Sequence, residues 1–189
     1  VQENYGEDYY LTAEMGACYV KGLQKKGVAS TLKHFIAHGT PENGINLAPV
    51  HIGEREIREV MLEPFEKCVQ AGAMCVMPAY SEIDGVPLHA SVRYTKELLR
   101  NELGFDGVVV SDWGAVKHRA KSLKAGIDLA MPYSADYGKQ LADWYEKGLI
   151  DEGDLDRSVG RLRELAEKYR SAVSRRRVTM TEEQKHELA

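Results

Sequence analysis

The sequence predicts an α/β fold assembled from parallel β/α units. Three observations predict it. Short apolar runs alternate with longer amphipathic stretches, the order of strand, loop, helix and strand that parallel construction produces. The apolar runs do not alternate hydrophobic with polar residues, as expected of strands covered on both faces. Each also closes on polar residues at its C-terminal end: Lys33–His34, Tyr80–Ser81 and Ser111–Asp112–Trp113. In open α/β sheets and in (β/α)8 barrels, that edge is where ligands bind.

The elements follow in order. "YLTAEMGACYVKGLQKKG" has helical spacing at Leu11, Met15, Tyr19 and Leu23 and stops at Gly27. "VASTLKHF" is the first strand. "GEREIREVMLEPFEKCVQAG" is a helix with Ile57, Met61, Phe65 and Val69 on one face, closed by Gly72. Its Glu54, Arg55, Glu56 and Arg58 suit i,i+4 ion pairs on a solvated face. "AMCVMPAY" is the second strand, and "EIDG" after it is a turn. "SVRYTKELLRNELG" is a helix capped by Ser91. "GVVVSDW" is the third strand, "HRAKSLKAG" a short helix and "IDLAMP" a fourth short strand. Two helices follow, "YGKQLADWYEKGLI" and "GDLDRSVGRLRELAEKYRSAVSRRR", the second capped by Asp154 or Asp156. The basic run Arg175–Arg177 fits a solvated helix end.

Four such strands are about half of the eight in a closed barrel. The expectation is a TIM-type half-barrel over residues 1–172, with a tail or linker over 173–189. A partner chain or a homodimer would complete the sheet, since open parallel edges want pairing.

Composition narrows the function. The 189 residues are one domain's worth, 43% hydrophobic and 29% charged, enough for a packed core. A net charge of −4 argues against a nucleic-acid partner. No apolar run reaches the roughly 18 residues of a membrane span, and no signal-peptide pattern opens the chain. The start, "VQENYGEDYYLT", lacks a Met and reads as a cut or processed end or, equally, as an artificial boundary. The three cysteines, Cys18, Cys68 and Cys75, form no disulfide framework. They read as buried small hydrophobes and favour a reducing, cytoplasmic compartment. No metal or cofactor motif is present.

Asp112 is the leading candidate for chemistry. A carboxylate at a strand end can act as nucleophile, general base or metal ligand. Equally, it can cap the turn that follows. Trp113 beside it favours a sugar, whose apolar C–H face stacks on aromatic rings; the alternative is a core indole. Lys33 and His34 can hold hydroxyls or an anion, or can point to solvent and into a supporting layer. Tyr80 ends its strand in the same way and can instead pack at the sheet edge. The long Gly- and Pro-containing loop after His38 has the composition of a pocket-shaping loop. His38 itself fits a structural role better. His51, His89, His118 and His186 have no readable partner.

At these residues the sequence resembles a family. "TLKHFIAHG", "MPAYSEIDGVPLHAS", "LLRNELGFDGVVVSDWGAV" and "AGIDLAMP", in that order, resemble the catalytic barrel domain of glycoside hydrolase family 3, in its β-glucosidase and β-xylosidase branch. "NYGEDYYL" and "INLAPVHIGEREIREVMLEPF" fit as well. The resemblance is close over about residues 1–132 and loose to about 165. It implies a retaining glycosidase with Asp112 as nucleophile. Lys33 and His34 would bind glycone hydroxyls, Tyr80 would stand near the nucleophile and Trp113 would wall the sugar subsite. The substrate would be a β-glucoside or β-xyloside, with no cofactor. A branch that cleaves N-acetylglucosaminides carries a second Asp after the nucleophile and an Asp-Ser-His loop; neither is present here. The resemblance also implies parts beyond this chain: an earlier barrel half with a sugar-binding Asp and an Arg, and a C-terminal domain with the acid/base Glu. "TEEQKHELA" resembles the linker into that domain. The segment between Val116 and Ala125 is shorter than in the family, and the chain departs from the family pattern after about Arg163. The expected function is therefore the nucleophile-bearing segment of a retaining β-glucosidase, incomplete alone. The alternative is a non-catalytic or engineered half-barrel that self-associates.

Overall fold

The computed structural model describes residues 4–134, 136–173, 181–183 and 186. Helix α1 (Tyr9–Lys25) begins where the Asp8 carboxylate accepts the Leu11 amide at 3.0 Å. Strand β1 (Thr31–Phe35) follows. After a long loop come α2 (Glu54–Glu56), a wide turn over Ile57–Met61 and α3 (Glu63–Gln70). Strand β2 (Cys75–Pro78) leads into a hairpin of β3 (Glu82–Ile83) and β4 (Val86–Pro87). A π-wound helix (Val92–Glu102) then precedes β5 (Val108–Val109). The remaining helices are α4 (Arg119–Ala125), α5 (Tyr137–Glu146) and α6 (Glu152–Val173).

The fold is α/β with a parallel sheet, as the sequence predicts. The strand order is β1-β2-β5 with both pairings parallel. The fourth expected strand, "IDLAMP", is reduced to a parallel bridge between Val110 and Leu129. Ser111 donates to the Leu129 carbonyl at 2.8 Å, so the segment still lies beside β5 at the sheet's end. The core forms where helices cover these strands. Phe35, Ile36, Val76, Leu98, Leu99 and Val109 are fully buried, each contributing about 1.5–3 kcal/mol. Phe65 meets Phe35 edge-on, centroids 5.1 Å apart. Gly107 is required at the entry to β5, because a Cβ there would collide with the Met74 carbonyl.

Several expectations are corrected. On α1 the larger apolar residues are not the buried face: Leu11, Met15 and Tyr19 are exposed, while Ala13, Ala17 and Val20 are buried. Small residues let α1 lie close against α3, where the Cys68 sulfur would sit only 2.8 Å from a Cβ at Gly16. Cys18 is exposed, on the outer side of that helix, whereas Cys68 and Cys75 are buried. The predicted helix over 53–72 is not one α-helix. Pro64 has no amide to donate, and upstream of it the ladder widens, Leu62 bonding back to Ile57. Its apolar face survives, with Ile57 buried and Met61, Phe65 and Val69 packed against the core. Ser91 caps the next helix through the Tyr94 amide at 3.3 Å, yet that helix winds with π geometry.

The cap of α6 is Asp151, not Asp154 or Asp156. Asp151 accepts the Asp154 amide at 2.8 Å and Asp154 returns to the Asp151 amide at 3.2 Å, a reciprocal box. The i,i+4 pairs on the "GERE" face form, Arg55 with Glu59 and Arg58 with Glu54. "EIDG" is the hairpin turn, with φ of +49° at Asp84 and +82° at Gly85. Arg175–Arg177, and most of the 173–189 tail, lie outside the described residues. No described helix is long and apolar enough to cross a membrane.

Candidate active site

The C-terminal ends of β1, β2 and β5 bring four of the candidates together: His34, Tyr80, Asp112 and Trp113. On β1 the pairing register shifts between Lys33 and Phe35, so His34 stands in a local irregularity of the ladder. The Lys33–His34 and Phe35–Ile36 peptide bonds are cis. His34 Nε2 comes to 3.3 Å from Asp112 Oδ2, and both side chains are largely buried, 17% and 14% exposed. Lys33 is exposed on the same strand. The His38 ring lies 4.4 Å from that of His34, and its Nδ1 is buried without a hydrogen-bond partner.

The apolar run of β5 carries Asp112 to this point because Val108 and Val109 are locked in the core and Ser111 is pinned beyond them. Ser111 Oγ accepts the Met131 amide at 2.8 Å and donates to the Asp112 carbonyl at 2.9 Å. The chain then turns through Gly114, whose φ of +69° suits glycine, and the Gly114 amide donates to the Met131 carbonyl.

The two carboxylate oxygens of Asp112 differ. Oδ1 accepts the Trp113 amide at 2.6 Å, so the turn-capping role is real for this oxygen. Oδ2 is buried and takes no hydrogen bond, with His34 Nε2 at 3.3 Å. The 3.3 Å approach is close enough for electrostatic attraction without the alignment of a hydrogen bond. Tyr80 closes the other side. Its hydroxyl donates to the Trp113 carbonyl at 2.8 Å. Burial first, then the Asp112 carboxylate as a hydrogen-bonding neighbour and as a negative charge, raises its pKa. The Trp113 indole is 65% exposed, on the surface beside the carboxylate and not in the core.

Sequence reasoning assigned His89 no role, but the structure places it at this site. It is 3% exposed, and its Nε2 accepts the Asp112 backbone amide at 3.1 Å. Burial pushes its pKa down to about 4, against the pull of Asp112 and of a hydrogen bond to the Ala79 backbone. A lone histidine in "VPLHAS" carries no sequence signal for this, because its partner is a backbone group. The cluster therefore holds one carboxylate with an unbonded oxygen, an imidazole facing it, a second imidazole on its backbone amide, a phenol and an exposed indole.

A family profile described as the glycosyl hydrolase family 3 N terminal domain matches residues 1–165. The chain belongs to glycosyl hydrolase family 3. Family relatives extend the match. The thermostable β-glucosidase B of Acetivibrio thermocellus is 37% identical over 162 residues, 85% of this chain and 21% of that protein. A β-xylosidase of Formosa agariphila is 40% identical over 152 residues, 68% of this chain and 21% of its own length. Among solved structures, a Listeria innocua β-glucosidase in complex with glucose superposes with a TM-score of 0.86 at 31% identity, over 97% of this chain and 29% of that one. The chain thus spans about a fifth of the length of these curated relatives and matches the family's N-terminal domain.

Proposed function

We propose that this chain is the nucleophile-bearing segment of a retaining β-glucosidase or β-xylosidase, with Asp112 as the nucleophile. The carrying observation is the asymmetry of its carboxylate: Oδ1 is tied to the Trp113 amide and Oδ2 is not hydrogen-bonded. Tethering one oxygen holds the group in orientation; the other keeps its lone pairs for an electrophilic carbon. In the first step, Oδ2 attacks the anomeric carbon as the bond to the leaving-group oxygen breaks, giving a glycosyl ester. In the second, water displaces Asp112 on the opposite face, so two inversions retain configuration. The acid/base carboxyl, about 5–5.5 Å from the nucleophile in retaining enzymes, comes from a part of the enzyme beyond this chain. Lys33 and His34 bind glycone hydroxyls, Tyr80 stands over the nucleophile and Trp113 stacks on the sugar ring.

The test is an activated 2-deoxy-2-fluoro-β-glucoside, whose leaving group needs no acid. Mass spectrometry is expected to find the adduct on Asp112; an adduct on another residue overturns the assignment.

We further propose that residues 1–172 are half of a TIM-type barrel and 173–189 a linker, with additional β/α units completing the sheet. Two features support this. Among the described residues β1 pairs on one side only. The outer face of α1, which packs on α3, exposes Leu11, Met15 and Tyr19 at helical spacing. The second reading, a half-barrel that self-associates, rests on the same two features. It predicts that the isolated 21.1 kDa chain sediments as a dimer at high concentration. A compact monomer throughout the concentration range rejects self-association.

A further inference from the structure

Hydrogen bonds run laterally across the strand ends at the base of this site. The Ala79 amide, just past β2, donates to the Phe35 carbonyl of β1 at 2.6 Å. The Ala79 backbone in turn bonds His89, and His89 Nε2 accepts the Asp112 amide past β5 at 3.1 Å. His89 is the side-chain link in an otherwise backbone relay. It is held in the 3₁₀ turn Leu88–Ala90, whose Leu88 is also buried.

We infer that His89 is a positioning residue that fixes the Asp112 backbone, and so the direction of its carboxylate, by clamping the end of β5 to the end of β2. The consequence for catalysis rests on the reading of Asp112 as nucleophile. Three facts carry the inference. First, an amide at the end of a parallel strand has lost its ladder partner and, buried, must find another. Asp112 is in that position: Val110 bonds Val76 and Ser111 bonds Leu129, and the next amide in line is taken by His89. Second, the acceptor must be the neutral imidazole, with its proton on Nδ1 toward Ala79. Burial favours that neutral form. Third, the hydrogen bond that fixes Oδ1 runs to the adjacent Trp113 amide, on the same stretch of main chain. The aim of the carboxylate is therefore set through the main chain, and a shift of the Asp112 backbone is a shift of Oδ2 relative to His34 and Tyr80.

The inference is testable on the chain as it stands. In the ¹⁵N-labelled protein, a through-hydrogen-bond N–N coupling is expected between the Asp112 amide and His89 Nε2. His89→Leu fills the space without an acceptor and strands the amide. Hydrogen exchange at Asp112 is expected to quicken by about ten- to a hundredfold, with a matching loss in the rate of labelling by the 2-fluoro glucoside. In His89→Gln the side-chain oxygen can stand where Nε2 stood, and both rates are expected to return to near the original values. A general loss of packing would not be rescued in that way. Absence of the coupling, or unchanged Asp112 exchange in His89→Leu, overturns the inference. The coupling needs no substitution and so stands even if His89→Leu does not fold. Failure of the nucleophile assignment has a separate signature, a label on another residue with the coupling intact.

Discussion

Replacing Asp112 with alanine is expected to lower turnover of an aryl β-glucoside by about 10⁴- to 10⁶-fold in the enzyme that contains this segment, the scale on which enzymes lose their nucleophile. The loss is large because no other carboxylate oxygen is presented by β5 at this point, and the neighbouring imidazoles are hydrogen-bonding groups and not a substitute anion. The fold is expected to survive. Asp112 is partly exposed, and the bond lost, Oδ1 to the Trp113 amide, is worth about 1 kcal/mol. The melting transition therefore moves little while the chemistry stops. Alanine also leaves a space below the anomeric carbon. Azide can enter that space and attack from the face Asp112 used. A β-glucoside with a good leaving group then gives the α-glucosyl azide, with one inversion instead of two. Two results would contradict the assignment: substantial turnover by Asp112→Ala without azide, or a β-configured azide product.

The parts of this fold that were legible are those written as continuous apolar runs. "CVMP" and "GVVV" are strand or strand edge, because a strand covered on both faces must be apolar throughout; "TLKHF" is a strand as well but alternates, with Leu32 and Phe35 buried and Thr31 and Lys33 exposed. Their polar ends supplied side chains of the cluster, although Ile36, Ala79 and Ser111, just past the strands, are themselves buried. Helix faces were less legible. On α1 hydrophobicity pointed to Leu11, Met15 and Tyr19, but close packing against α3 selects small residues and put Ala13 and Ala17 inside. Bulk, not polarity, decided that face. The π winding of Val92–Glu102 left no trace in the spacing, because Leu98 and Leu99 face the core under either winding. His89 and Asp128 were invisible for a common reason: each meets partners distant in the chain, a main-chain amide among them. The amino-acid pattern does not say where a distant main-chain group will be left unpaired.

Asp128 carries the second large effect. It sits inside "IDLAMP", read from sequence as strand, yet its carboxylate is 0% exposed and holds four segments together. Oδ2 accepts Arg100 Nη2 at 2.7 Å and the Val109 amide at 2.8 Å; Oδ1 accepts Arg161 Nη1 at 3.0 Å. Arg100, itself 8% exposed, also donates to the carbonyls of Gly107 and Gly126. The π-wound helix, the start of β5, the turn after α4 and helix α6 thus meet at one carboxylate. Asp128→Ala leaves a buried guanidinium without its counter-charge. The expected loss is about 3–5 kcal/mol, a large part of the roughly 5–15 kcal/mol by which domains are stable. For a chain of this length it lowers the melting temperature by about 6–20 °C. Because Asp128 and Arg100 are out of solvent, the loss is expected to persist at high salt, unlike that from breaking the exposed Arg55–Glu59 pair. Asp128→Asn is expected to fall between, since one oxygen still accepts while its NH₂ faces a guanidinium. Converting the more deeply buried pair, Asp128→Leu with Arg100→Met, is expected to recover part of the loss, because only Arg161, which is 23% exposed, then keeps a charge without its partner. Thermal melts of the four proteins decide the matter. If Asp128→Ala melts within a degree or two of the unsubstituted chain, the carboxylate is not what joins α6 to the sheet.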